Sequence, residues 1–200
     1  MTTLIPENIK GKKNDLYESV HVPTTEQAIT IFQQAYKRIS NPFRWHDLTG
    51  LPAKFLPASE NETSFKNPLR EGNYFKIEIP GPGSSKGSGY DWVMVETVED
   101  KRNSQGSLES FGITLRACSN PYNGSLATAH FFKSLATSSF FLQRNGKLVT
   151  ASYHGRNEVP NIQTGNLLDN IRNAFVALGA EAGMSELVWS QLLKAFLGKS

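Results

Sequence analysis

The stretch from Ala53 to His154 constrains the fold of this 200-residue chain most, because its apolar and polar residues alternate. A repeat of two is typical of β-strands with one buried face, whereas helices repeat every 3.6 residues. In one such run, Phe75, Ile77 and Ile79 are separated by polar residues. The pattern predicts an antiparallel meander of about six to seven strands. The predicted strands are Ala53–Ala58, Asn73–Ile79, Trp92–Val98, Ser110–Cys118, Thr128–Phe132 joined loosely to Thr137–Arg144, and Lys147–His154.

The dipeptide Asn145-Gly146 predicts a tight hairpin between the last two strands. A two-residue type I′ turn needs positive φ at both central positions, and Asn and Gly tolerate it. With these residues at the turn, Leu142 pairs with Val149. The face that carries Leu142 is then the expected core side of the sheet.

A helix is predicted to begin after Thr24, because Thr24 and Gln27 have the spacing of a capping box. Its apolar residues recur every three or four positions up to Ile39, which gives one apolar stripe. Asn41-Pro42 ends the helix. Before the helix, Leu16–Val22 alternates in the manner of a short strand.

The C-terminal third of the chain returns to a helical period. Apolar residues within Leu167–Leu178 form one stripe, and the same phase continues to Phe196. Gly179 and Gly183 are candidate breaks. Two interpretations stay open: one long helix that is kinked near these glycines, or a helical hairpin that is capped by Ser185.

Laid end to end, these elements are a strand, a helix with a short turn, a run of antiparallel strands and a long amphipathic C-terminal segment. This order resembles the helix-grip fold of the Bet v 1 and START-related superfamily, and the resemblance covers nearly the whole chain. It implies an antiparallel sheet that wraps the C-terminal helix, with an apolar cavity between them. The glycines at 179 and 183 depart from the continuous helix of that family. A small SH3-like barrel with flanking helices is the alternative fold.

The composition excludes several classes of protein. A single cysteine excludes a disulfide framework and a cysteine-based zinc cluster. None of the four histidines has a second ligand at metal-binding spacing, so the sequence predicts no metal and no cofactor. A net charge of +3 is too small and too dispersed to indicate nucleic-acid binding.

The sequence also predicts where the chain resides and how it divides. No stretch approaches the ~20 apolar residues of a membrane-spanning helix, and we expect a soluble, cytoplasmic protein. Residues 1–15 are predicted to be a flexible N-terminal segment. Residues 16–200 are predicted to form a single α+β domain.

The densest group of polar residues follows the last predicted strand. His154, Arg156, Asn157 and Glu158 combine a base, a guanidinium, an amide and an acid within five residues. Arg156 could grip a carboxylate with two hydrogen bonds, while His154 or Glu158 could move a proton. We assign these four residues, together with Trp45, as candidate ligand-binding residues. A solvated loop, and for Trp45 a packing role, are the plainer interpretations.

Three functions are compatible with this pattern. The first is binding of a small hydrophobic or amphipathic ligand between the sheet and the C-terminal helix. The second is an interaction module or homo-oligomer that uses the apolar residues of Leu187–Leu197, among them Trp189, Leu192, Leu193 and Phe196. The third is an enzyme that uses His154 or Glu158 as a general base at the same pocket.

Overall fold

The computed structural model describes residues 4–50, 53–58, 69–78, 87–103, 106–124, 126–161 and 184–199. These residues form a seven-stranded antiparallel sheet with the order β1-β7-β6-β5-β4-β3-β2. The strands are β1 (Lys12–His21), β2 (Lys54–Pro57), β3 (Tyr74–Glu78), β4 (Asp91–Lys101), β5 (Leu108–Ala117), β6 (Thr137–Asn145) and β7 (Leu148–Glu158). The helices are α1 (Thr25–Ile39), a 3₁₀ turn (Pro42–Arg44), α2 (Trp45–Thr49) and α3 (Met184–Phe196).

The α+β class and the helix-grip arrangement are confirmed. Helix α3 packs on β1 and β7, and α1 packs on β6 and β7. The sheet is open, with β1 and β2 at its two edges, so the SH3-like barrel is wrong. None of the helices in the described ranges is long and apolar enough to cross a membrane.

One predicted strand segment does not form a regular strand, and β7 continues past the predicted end at His154 to Glu158. Thr128–Phe132 is not a regular strand, although Phe132 forms an isolated bridge with Pro160. Instead, the carbonyl of Ala129 accepts a hydrogen bond from the Trp92 amide, and the Ala129 amide donates to Cys118. The segment therefore fills the gap where β4 and β5 diverge.

The hairpin between β6 and β7 turns one position later than the sequence predicts, which shifts the strand pairing by two residues. Asn145 pairs with Leu148, and Leu142 pairs with Ala151 instead of Val149. Gly146 has a φ of 57° and occupies the first central position, as glycine does in a type II′ turn. The turn residues of the prediction were wrong, but a shift of two residues leaves every side chain on its predicted face.

One face of the sheet, here called the inner face, packs against the helices. It carries Phe140, Leu142 and Tyr153, and the opposite face is called the outer face. The predicted capping box of α1 is confirmed, because Thr24 Oγ1 accepts from the Gln27 amide at 3.2 Å and Gln27 Oε1 accepts from the Thr24 amide. The residues that α1 buries against the sheet are Ala28, Phe32, Ala35 and Ile39.

Trp45 lies at the centre of this core and is fully buried. Its ring contacts those of Phe55, Phe140 and Phe196, with centroid distances of 4.7 to 5.5 Å. One side chain thereby joins α2, β2, β6 and α3. The C-terminal stripe predicted for Leu167–Leu178, with the choice between a kinked helix and a hairpin, lies outside the described residues.

The described part of the N-terminal segment lies along the outer face. Leu4 is fully buried, and its carbonyl accepts hydrogen bonds from the hydroxyls of Thr114 and Ser139. A Cβ atom on Gly112 would overlap the Leu4 side chain, so glycine makes this approach possible. Strand β1 begins at Lys12, before the predicted start at Leu16. How flexible residues 1–15 are, and the division into a segment and one domain, stay predictions.

Arg144 and Glu109 form an ion pair that closes one end of the inner face. Arg144 Nε lies 2.7 Å from Glu109 Oε2, and the two side chains are 0% and 6% exposed. The guanidinium also donates to the carbonyl of Gly106 at 2.6 Å. Its donors are therefore used within the fold, as a buried charge requires.

We expect Arg144→Met to lower the free energy of unfolding by about 3 to 5 kcal/mol, because it leaves Glu109 buried without its cation. Urea unfolding would measure the loss. The double change with Glu109→Leu should recover most of it. As a control, Arg44→Met breaks an exposed ion pair with Asp47 and should cost less than about 1 kcal/mol. Equal losses at the two sites would contradict the assignment.

Candidate functional site

A β-bulge decides where the predicted site residues point. Arg156 and Asn157 on β7 lie opposite a single residue, Lys13, on β1, between the pairs Asn14–Gly155 and Lys12–Glu158. Asn157 has a φ of 57°, which asparagine tolerates better than most residues. The extra residue breaks the alternation of β7. His154 and Arg156 therefore point to the outer face, and Glu158 points to the inner face.

On the outer face, four side chains form what we call the outer cluster: Asp15, Ser152, His154 and Arg156. Asp15 Oδ1 lies 2.6 Å from His154 Nδ1 and 2.6 Å from Arg156 Nη2. His154 Nε2 lies 3.0 Å from Ser152 Oγ. Arg156 also donates to the carbonyl of Asn14 at 3.1 Å. The cluster joins edge strand β1 to β7.

The order Asp15, His154, Ser152 matches the hydrogen-bond order of a hydrolytic triad, in which an acid orients a base toward a hydroxyl. Burial lowers the pKa of His154 against the opposing effect of Asp15, so the imidazole is neutral at pH 7. However, Ser152 is only 3% exposed. A substrate carbonyl has no path to its hydroxyl, and we assign the cluster a structural role.

Asp15→Asn is expected to lower the free energy of unfolding by about 2 kcal/mol at neutral pH. Burial alone would raise the pKa of Asp15, but hydrogen bonds from His154 and Arg156 outweigh it and lower the pKa to about 2. Because the folded pKa is depressed, this stabilisation is complete above the unfolded value of 3.8 and is lost as the pH falls toward 2.

Urea titrations at about pH 7 and at about pH 2 would test this, since the gap between wild type and variant should close in acid. Asp47→Asn, at an exposed carboxylate, is the matched control. A gap that persists unchanged in acid would show that the carboxylate charge is not the cause.

Asn157 uses its side chain to hold the N-terminal segment. Its Oδ1 accepts from the amides of Ile9 and Lys10 at 2.7 and 3.1 Å, and its Nδ2 donates to the carbonyl of Glu7. These polar atoms are thus used within the chain. Trp45 likewise donates its indole N–H to the carbonyl of Arg38 at 3.0 Å, in the core. The structure therefore distributes the five predicted residues over separate places.

On the inner face, Ser138, Tyr153 and Glu158 form what we call the inner cluster. The Tyr153 hydroxyl lies 3.1 Å from Glu158 Oε1 and 3.2 Å from Ser138 Oγ. Gly155 makes the room, because a Cβ atom there would overlap the Glu158 carboxylate. Trp189 of α3 stacks on the Tyr153 ring at 5.0 Å. Burial raises the pKa of Glu158 and of Tyr153.

Asp91, the first residue of β4, is a second buried acid on the inner face. It pairs with Ile77, which pairs in turn with Phe55, and directly opposed residues point to the same face. The residue is 2% exposed, and within the described ranges neither carboxylate oxygen has a partner in hydrogen-bond geometry. Burial raises its pKa to about 7, although the Phe131 amide lies near enough to oppose this.

We expect Asp91→Asn to stabilise the protein in mild alkali by as much as about 4 kcal/mol and to have little effect near pH 4. The folded pKa lies above the unfolded value of 3.8, so the native state loses stability as the pH rises toward 7. The amide variant has no such loss. Urea titrations at about pH 4 and about pH 8 would measure it.

The same pair of titrations on Asp47→Asn should show no pH-dependent gain, because that carboxylate is exposed. Equal effects of Asp91→Asn at both pH values would refute the raised pKa.

The sequence analysis missed Asp91, Asp15, Ser152 and Tyr153. Asp91 lies just before the predicted strand Trp92–Val98, yet the alternation of Asp91, Val93 and Val95 already places it on an apolar face. Asp15 reaches His154 only through the pairing of the first strand with the last. That long-range contact has no local signal in the sequence.

Cys118, the single cysteine, is half-buried beside Trp92, Ala129 and two tyrosines of the outer face. Burial raises its pKa to about 12, so it stays a thiol at neutral pH. In the described ranges, no three His, Cys, Asp or Glu side chains are grouped so that they could hold a metal ion.

Comparison with known proteins gives structural matches only. No family model and no curated protein matches the chain. Protein Ms6760 from Mycobacterium smegmatis is 13% identical with a TM-score of 0.40, over 92% of this chain and 88% of that one. Ginseng major latex-like protein 151 from Panax ginseng is 12% identical with a TM-score of 0.33, over 86% and 100%. Truncated norcoclaurine synthase from Thalictrum flavum is 10% identical with a TM-score of 0.35, over 98% and 100%.

The TM-scores of these three structures are all below 0.5. Identity at this level carries no information about ligand or activity.

Proposed function

We propose that this protein binds a small, mainly apolar ligand with at least one polar group, between the inner face of the sheet and the C-terminal helix α3. The observation that carries the proposal is where three polar groups of the inner face lie, of which Asp91 and Glu158 are buried and Ser138 is half-buried. Asp91 begins β4, Ser138 lies near the start of β6 and Glu158 ends β7. In an antiparallel sheet with this strand order, all three are at one end.

That end differs from the rest of the inner face. The opposite end is closed by the ion pair of Arg144 and Glu109, and the centre is filled by aromatic and aliphatic side chains. Small-molecule sites are mainly apolar and contain a few convergent polar groups that orient the ligand. The polar end of the inner face, with the Tyr153 hydroxyl and the Trp189 ring, has this composition.

The two alternative functions have less support. Three of the apolar residues predicted to face a partner, Leu192, Leu193 and Phe196, are fully buried within the chain. They are therefore not available to a partner or a second copy, and homo-oligomer formation stays a prediction. The bulge sends His154 and Glu158 to opposite faces of the sheet, so only Glu158 faces the proposed ligand, and an enzyme that uses either residue as a general base stays a prediction.

We expect saturable 1:1 binding of neutral amphipathic probes such as 1-octanol and 2-naphthol, with a raised unfolding temperature. Tyr153→Phe should weaken the binding of 2-naphthol by about fivefold, because it removes one hydrogen-bonding hydroxyl from the inner face. Isothermal titration calorimetry and thermal unfolding would measure both effects.

Ser152→Ala is the matched control, since it removes a buried hydroxyl from the adjacent position on the outer face. It should leave the affinity unchanged. If none of the neutral probes binds saturably, the proposed function is wrong.

A further inference from the structure

The carboxylate of Asp91 is buried without a hydrogen-bond partner in the part of the chain that the structure describes, and its surroundings define what could serve as one. Its nearest inner-face neighbours across the ladder are Ile77 and then Phe55, both buried. Neither side chain can donate a hydrogen bond. Among the described residues, neither carboxylate oxygen has a partner in hydrogen-bond geometry, although the Phe131 amide lies nearby.

A buried carboxylate in this condition destabilises the native state at neutral pH. Buried polar groups in native proteins nearly always have a partner, and an unsatisfied one needs a specific explanation. Alanine or valine at position 91 would pack with Ile77 and Val93 at no such cost. The presence of an acid at position 91 is therefore explained if a molecule other than this chain supplies the hydrogen-bond donor.

The charge of the group selects the chemistry of that donor. A hydroxyl offers one O–H and leaves the negative charge unpaired, whereas a protonated primary amine offers three N–H donors and cancels the charge. Glu158, a second buried acid at the same end of the sheet, adds negative potential there. An inorganic cation is disfavoured, since in the described ranges no three acidic, His or Cys side chains converge on one point.

We propose that Asp91 binds the protonated amino group of a small amphipathic amine, whose apolar part contacts the side chains of the inner face. This inference rests on the proposed function and narrows it to a class of ligand. Entry of the amine satisfies both oxygens of Asp91 and replaces an unpaired buried charge by a buried ion pair. The polar groups at this end thereby contribute to the choice of ligand rather than to the stability of the fold.

The test compares n-octylamine, 1-octanol and octanoate, which share one alkyl chain and differ only in the polar group. Isothermal titration calorimetry on the full chain at neutral pH, below the micelle concentration of each probe, gives the three affinities. We expect octylamine to bind at least about tenfold more tightly than octanol, which is the effect of one hydrogen bond between charged groups.

Asp91→Asn should abolish the preference for octylamine while octanol still binds. Asp100→Asn is the matched control, because it removes an exposed carboxylate from the other end of the same strand. It should keep the full preference and so exclude general attraction of amines to acidic side chains. The comparison of the three probes on the wild-type protein needs no variant and stands even if a variant does not fold.

Each outcome separates this inference from the proposed function. Equal affinities for octylamine and octanol, or a preference that survives Asp91→Asn, would overturn the amine assignment and leave ligand binding intact. Tighter binding of octanoate would also overturn it, because Asp91 would then act as a protonated donor. Failure of all three probes to bind would remove both proposals together.

Discussion

The structure depends on the burial of a single face of the sheet. From β4 to β7, alternate side chains meet the helices and the others meet the N-terminal segment or solvent. Trp45 links the elements that cover this face, because its ring contacts aromatic rings from three other elements. Large apolar side chains exclude water from the inner face. A polar group on that face therefore destabilises the fold unless it has a hydrogen-bond partner.

The two ends of the inner face differ in how their buried charges are paired. At one end, Arg144 and Glu109 neutralise each other, and the remaining N–H groups of Arg144 donate to backbone carbonyls. At the other end, Asp91 has no counterion among the described residues, and Glu158 accepts a hydrogen bond from Tyr153. A satisfied pair is what a fold needs for stability. An unsatisfied acid in equally dry surroundings lowers stability, and such groups are typical of sites that bind something.

Prediction from the sequence succeeded where the signal was local or periodic. The capping box at Thr24 depends on residues three apart, and strand alternation depends on residues two apart. The hairpin turn was misplaced by one residue, and the strand pairing therefore by two, because Asn145-Gly146 and Gly146-Lys147 are both acceptable turns with one glycine. An even shift keeps each side chain on its face, which is why the core prediction survived the error.

Alternation along the chain determined by itself that this protein is an α+β fold with one apolar sheet face and a capped first helix. Only the tertiary structure decided which polar residues share a site. The bulge at Asn157 separates His154 from Glu158, and β1 brings Asp15 to His154 across most of the length of the chain. Neither the bulge nor the pairing of β1 with β7 has a local signal in the sequence, because both depend on contacts between residues that are far apart in the chain.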